Sequence, residues 1–141
     1  MATVRTSKTH WEGSLTEGAG TVALESSGVG TYDVTWAARS QDANGKTSPE
    51  ELIAAAHSAC YSMALSNGLA GAGTPPQSLD TQADVTFVPG TGITGIHLTV
   101  VAGIEGISPQ DFAAAAEDAK KNCPVSQALT GTTITLDASL A

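Results

Sequence analysis

Cys60, Cys123 and His57 are the residues of this chain whose types and positions could carry covalent chemistry. A thiolate is a nucleophile, a leaving group in disulfide exchange and a reductant of peroxides, and its reactivity follows the local control of its pKa. Cys60 falls in the middle of a long apolar run that reads as a helix. There the helix dipole contributes nothing, so activation needs a neighbouring cation; an inert core cysteine fits the same position equally well. Cys123 precedes Pro124, a residue suited to the first helical position, so Cys123 stands at an N-cap, where free backbone N–H groups stabilise a thiolate. On these local grounds Cys123 is the more acidic thiol and the better leaving group. The spacing between the two cysteines says nothing about contact, because cooperation requires the fold to bring their Cα atoms within about 7 Å. His57 lies three residues before Cys60 and shares its helix surface. Together with both cysteines it makes only three ligands in a weak H-x-x-C pattern, so a hydrogen-bonded core histidine is expected rather than a metal site. His10 and His97 fall in strand-like segments with no partner pattern and read as structural.

The elements that must position these residues form one α+β pattern. Strands are predicted over Thr3 to Trp11, Gly20 to Ser26 and Tyr32 to Arg39, the last with Val34, Trp36 and Ala38 on one face and Arg39 on the other. Asn44-Gly45 marks a turn. Ser48-Pro49-Glu50-Glu51 then opens a helix with an N-cap serine, a proline at the first position and a glutamate placed to close a capping box. That helix runs to about Leu69, before Gly71 and Gly73, and its few charges predict that it is central and largely buried. Strands follow at Asp80 to Val88 and Ile96 to Ile104, joined by the turn Pro89-Gly90-Thr91-Gly92. A helix from Ser108-Pro109 to about Lys121, a short one from Cys123-Pro124 to Leu129 and a strand over Thr132 to Leu140 complete the order βββ-α-ββ-αα-β.

The 141 residues suit one domain, and 41% hydrophobic content is enough for a core, filled by Val, Ile, Leu and Ala because only 4% is aromatic. A formal net charge of −8 argues against nucleic-acid binding, which needs clustered lysine and arginine. No stretch approaches the ~20 apolar residues of a membrane span, and residues 1–13 lack the apolar run of an export signal. A cytoplasmic setting is therefore expected. In the cytosol two cysteines are more often chemical than structural.

The run Thr47-Ser48-Pro49-Glu50-Glu51-Leu52-Ile53-Ala54-Ala55-Ala56-His57-Ser58-Ala59-Cys60, continuing through Ser62-Met63-Ala64-Leu65, resembles the signature of the osmotically inducible protein C (OsmC) family. A second signature appears as Asn122-Cys123-Pro124-Val125-Ser126-Gln127. The opening His10-Trp11-Glu12-Gly13 and the closing Ile134-Thr135-Leu136-Asp137 also match the OsmC branch. In the related organic hydroperoxide resistance branch an aromatic residue usually stands where His57 does. The resemblance implies one OsmC-like peroxidase domain over residues 1–141, with strands wrapped around a long central helix, in an intertwined homodimer. It implies a two-cysteine peroxidase of oxidative and osmotic stress defence, with Cys60 as the peroxidatic thiol and Cys123 as the resolving thiol. The site arginine and glutamate map onto Arg39 and Glu50.

On this assignment Cys60 reduces an organic hydroperoxide, and hydrogen peroxide more weakly, to form a sulfenic acid. Cys123 then closes a Cys60–Cys123 disulfide, and an external dithiol or dithiol protein restores both thiols, with no bound cofactor or metal. Arg39 supplies the cation that mid-helix Cys60 lacks. Met63, Tyr61 and Phe112 are the expected apolar wall for the alkyl group. Glu50 and Cys60 are ten positions apart, about 15 Å along the helix axis, too far for Glu50 to serve Cys60 of its own chain. Two copies crossing antiparallel at Ala54-Ala55-Ala56 would bring Glu50 of one chain to Cys60 of the other, where it would orient Arg39 across the interface. Two other readings remain: a non-catalytic, redox-switched binding module, and a thiol hydrolase with His57 as base.

Overall fold

The computed structural model describes residues 1–141, which form two compact units, residues 1–52 and 53–141. The first unit is built on an antiparallel sheet in the order β1 (Lys8–Glu12), β2 (Ala19–Ala23), β3 (Thr31–Val34). A short helix α1 (Trp36–Ser40) follows directly. This corrects the expectation of a strand running to Arg39. Thr35, extended at φ −142°, caps the helix by accepting the Ala38 N–H at 3.1 Å, and the Ser40 hydroxyl donates to the Trp36 carbonyl at 2.8 Å. An alternation of three apolar residues over five positions fits a strand and a single helical turn alike, and the threonine cap decided for the turn. Arg39 therefore sits in the last turn of a helix.

The chain returns through Asn44-Gly45, both in the left-handed region at φ 49° and 79°, with Lys46 N–H bonded to the Ala43 carbonyl at 3.0 Å. Asparagine and glycine tolerate that backbone where most residues do not. Thr47 then bridges to Val34, its N–H bonded to the Asp33 carbonyl. Helix α2 (Pro49–Gly71) starts here as the sequence indicates, with Ser48 Oγ accepting the Glu51 N–H at 3.2 Å. Glu51 accepts the Thr47 hydroxyl at 2.6 Å. Both glutamates stand in the first turn, where the helix dipole favours negative charge.

In the second unit a hairpin of β4 (Ser78–Val88) and β5 (Gly92–Gly103) pairs antiparallel, and β6 (Thr133–Leu140) joins β5 in parallel. A parallel neighbour requires a long crossover. Helices α3 (Pro109–Asn122) and α4 (Pro124–Ala128) supply it. Every fourth residue of α2 from His57 onward, namely Tyr61, Leu65 and Leu69, is fully or almost fully buried. That ridge joins Leu98, Val100 and Ala102 of β5 and Phe112, Ala116 and Ala119 of α3 in one core. Each such large side chain contributes about 1.5–3 kcal/mol on burial.

The strand boundaries move by a few residues from those expected, most at β1, which begins at Lys8 rather than Thr3. The expectation of a largely buried α2 holds for only one side of it within the single chain. Ala55, Ala56, Ala59 and Met63 are exposed, and Met63 retains 72% of its surface.

Candidate functional site

The Cys123-Pro124 step ends one helix and opens another. Cys123 N–H makes the last bond of α3, to the Ala119 carbonyl at 2.9 Å. Pro124 has no N–H and forces the preceding residue out of helical geometry, and Cys123 takes φ −53°, ψ 126°. At this break the Cys123 sulfur comes to 3.0 Å from that of Cys60, within hydrogen-bonding distance, with both cysteines free. Cys123 is fully buried and Cys60 only partly so. The sequence left open whether these two residues meet; the fold brings them into contact.

The two thiols differ electrostatically. Burial, and the hydrogen bond with Cys123, push the Cys60 thiol up, against a smaller lowering by the Val125 backbone. Burial also pushes Cys123 up, but the hydrogen bond with Cys60 and the interactions with the Ser126 backbone and side chain outweigh it and leave Cys123 lowered. This direction agrees with the local expectation that Cys123 is the more acidic thiol. Ser126 was not singled out from the sequence. Its signal lay in the spacing Cys-Pro-Val-Ser, which sets a hydroxyl and an N–H three residues after a capping residue and so facing it.

His57 is wholly buried, and its Nε2 lies 2.7 Å from Ser126 Oγ. Its Nδ1 has no partner. It is thus the hydrogen-bonded core histidine expected. Burial lowers its pKa from the ordinary 6.5, so the imidazole is neutral. As pH falls below about 6.5 the unfolded chain takes up this proton before the native state does, and native stability drops until pH reaches the lowered folded value. The thermal midpoint is therefore expected to decline below pH 6.5 in the native sequence, and His57→Gln to flatten that part of the curve. An unchanged slope in the variant would assign the loss to other groups. No three His, Cys, Asp or Glu side chains are grouped to hold a metal ion.

In the first unit Arg39 and Glu50 form a second pair. Arg39 Nε lies 2.9 and 3.2 Å from the two Glu50 oxygens, and the Glu50 side chain is 8% exposed. The Thr47–Val34 bridge closes the loop between them and makes this contact possible. The partner of Glu50 is thus Arg39 of its own chain, which corrects the expectation that the two meet across an interface. Beside Arg39 opens a cavity of about 450 Å³ lined chiefly by Trp11, Leu15, Val22, Val34, Trp36 and Leu52. The residues expected to form an apolar wall are elsewhere. Tyr61 and Phe112 fill the core of the second unit, Tyr61 donating to the Ala116 carbonyl at 3.0 Å, and Met63 faces outward. Periodicity marks a residue as apolar and inward-facing but cannot separate core filling from cavity lining.

Among known proteins, Peroxiredoxin OsmC of Escherichia coli strain K12 is 44% identical over 134 residues, covering 93% of this chain and 92% of that protein. The crystal structure of an organic hydroperoxide resistance protein OsmC from Legionella pneumophila covers 100% of this chain and 98% of its own, with a TM-score of 0.70 and 21% identity. An OsmC-like protein from Mycoplasma pneumoniae shares the fold at a TM-score of 0.75, with 14% identity, over 100% of this chain and 99% of its own. The family model described as OsmC-like protein matches residues 41–137, a span that holds both cysteines and Glu50, and with these relatives it establishes that the chain belongs to the OsmC family.

Proposed function

We propose that this chain is a thiol-dependent peroxidase that reduces organic hydroperoxides to alcohols, using Cys60 as the peroxidatic and Cys123 as the resolving thiol. The observation that carries the reading is the 3.0 Å approach of two free cysteines, in a chain 44% identical to a peroxiredoxin. Cys60 keeps part of its surface, so a peroxide can reach it; Cys123 is sealed behind it, in place to capture a sulfenic acid. Attack on the terminal oxygen of ROOH breaks the O–O bond, releases ROH and leaves Cys60 as sulfenic acid. Cys123 displaces the sulfenic oxygen as water, and an external dithiol reopens the disulfide by exchange. No bound cofactor takes part.

Arg39 and Glu50 complete the proposed site. A guanidinium anchored through Nε by a buried carboxylate is held in a set position, as a group that is to stabilise a thiolate and a peroxide oxygen must be. The apolar cavity beside Arg39 offers room for an alkyl group. The exposed small residues Ala55, Ala56 and Ala59 on α2 would let two copies of the helix approach closely, which supports a homodimer.

A steady-state assay with cumene hydroperoxide, a lipid hydroperoxide and hydrogen peroxide, each with several dithiols, tests the reading. Many equivalents consumed per chain, most with the organic peroxides, are expected. Consumption of a single equivalent with excess dithiol present would identify a redox-switched binding module instead.

A further inference from the structure

His57 and Cys60 lie three residues apart on α2, and Cys123 and Ser126 lie three residues apart at the start of α4. Positions so spaced share one side of a helix. The two pairs meet rung for rung: His57 Nε2 lies 2.7 Å from Ser126 Oγ, and the Cys60 and Cys123 sulfurs lie 3.0 Å apart. Helix α4 has little of its own to keep it there. Its five residues are too few to be stable as a helix alone, and its capping residue, Cys123, makes no side-chain capping bond. Val125 and Leu129 pack against the core, but apolar contact is non-directional and permits sliding. The His57–Ser126 bond supplies a directional link between α2 and α4 that passes through neither sulfur. It has no ready substitute. His57 is wholly buried and Ser126 nearly so, so water does not replace either partner. His57 Nδ1 has no partner already, and parting from Ser126 would leave a buried ring with no hydrogen bond at all, which is costly.

We infer that His57 and Ser126 are positioning residues whose hydrogen bond clamps α4 to α2 and so holds Cys123 in reach of Cys60 before any S–S bond exists. The inference rests on the peroxidase reading above for the step it serves, closure of the disulfide. In that step Cys123 attacks the Cys60 sulfenic sulfur, the S–S bond forms as the S–O bond breaks, and the Cys123 proton leaves with the hydroxyl as water. Holding one reactant against the other raises the effective concentration of Cys123 at Cys60. The clamp lies about one helical turn from the sulfurs, so their closure does not require it to open.

The test is the thiol–disulfide equilibrium of the full chain in glutathione buffers without peroxide. Cys60 and Cys123 pass two electrons and two protons to one glutathione disulfide, giving the protein disulfide and two glutathione thiols. His57→Leu and Ser126→Ala are each expected to lower that equilibrium constant about tenfold, which raises the reduction potential by about 30 mV. Ser126→Thr, which keeps the hydroxyl, should stay near the unmodified value. The double variant, His57→Leu with Ser126→Ala, should lose no more than either single one, because both remove the same bond. Losses that multiply to about a hundredfold, or an unmoved constant in the folded single variants, overturn the inference. So does a rise: a Ser126 side chain that acted only by favouring a Cys123 thiolate would, once removed, favour the disulfide. If the variants fail to fold, hydrogen exchange in the unmodified protein decides. The Gln127 and Leu129 amides, bonded to the Cys123 and Val125 carbonyls, should be protected alike in the reduced and disulfide forms. Protection that appears only on oxidation would show that the S–S bond orders α4, and would overturn the clamp. Because no peroxide is present, the result stands apart from turnover. A tenfold shift without turnover keeps the clamp and rejects the peroxidase, while turnover with an unmoved constant does the reverse.

Discussion

Cys60→Ser is expected to abolish hydroperoxide reduction, whereas Cys123→Ser is expected to consume about one equivalent per chain and then stop at the sulfenic acid or over-oxidise. The two cysteines compete for the peroxidatic role on opposed grounds. Cys123 is lowered by its contacts with Cys60 and Ser126, while burial and the contact with Cys123 push Cys60 up. Cys60 is the more accessible, while Cys123 is fully buried. Access should win, because a thiolate that no peroxide can reach does not react, and reactive cysteines are characteristically part-exposed. Peroxide consumed per chain, with mass spectrometry to detect one added oxygen, separates the variants. An exchange of behaviours between them would show that acidity, not access, assigns the roles.

The second large effect concerns Glu50. Glu50→Ala removes the carboxylate that holds Arg39 Nε at 2.9 Å, so the guanidinium loses a set position. Displacing a catalytic group by about 1 Å costs on the order of a hundredfold in rate, and a loss of that size is expected. Ten residues of α2 separate Glu50 from Cys60, too far for contact along one helix. In the proposed dimer the Arg39–Glu50 pair of one chain therefore serves Cys60 of its partner, and mixing variants tests this. A dimer of one Cys60→Ser chain and one Glu50→Ala chain has a single reactive Cys60, on the chain lacking Glu50. If the partner supplies the glutamate, that site works and the mixed dimer recovers about half of the unmodified activity, one of its two symmetric sites. If each chain uses its own, the mixed dimer stays as impaired as the Glu50→Ala homodimer. Arg39→Ala in place of Glu50→Ala should give the same pattern, because the two residues are joined within one chain.

Much of this protein was legible as local chemistry. The start of α2 at Ser48-Pro49, the cap at Ser108-Pro109, the Asn44-Gly45 turn and the alternation that buries Leu98, Val100 and Ala102 depend on residues within a few positions of one another. The lowering of Cys123 is local only in part: the Ser126 and Val125 groups that contribute to it lie two and three residues away, but its first contribution is the hydrogen bond with Cys60, which the sequence places 63 residues off. The paired cysteine motifs also indicated the family, and the sequence comparisons support it.

Other features depended on contacts far apart in sequence. Local periodicity could not choose between a strand and a helical turn for Trp36 to Ser40, nor tell that Tyr61 and Phe112 fill the core rather than line a cavity. It could not show that Arg39 and Glu50 pair within one chain, which the Thr47–Val34 bridge brings about. The meeting of Cys60 with Cys123 and of His57 with Ser126 needed the α3–α4 crossover to return along α2. A cap or a turn forms from residues that are neighbours in every conformation of the chain. A contact between positions 60 and 123 exists only once the whole core has closed, so no short stretch of sequence encodes it.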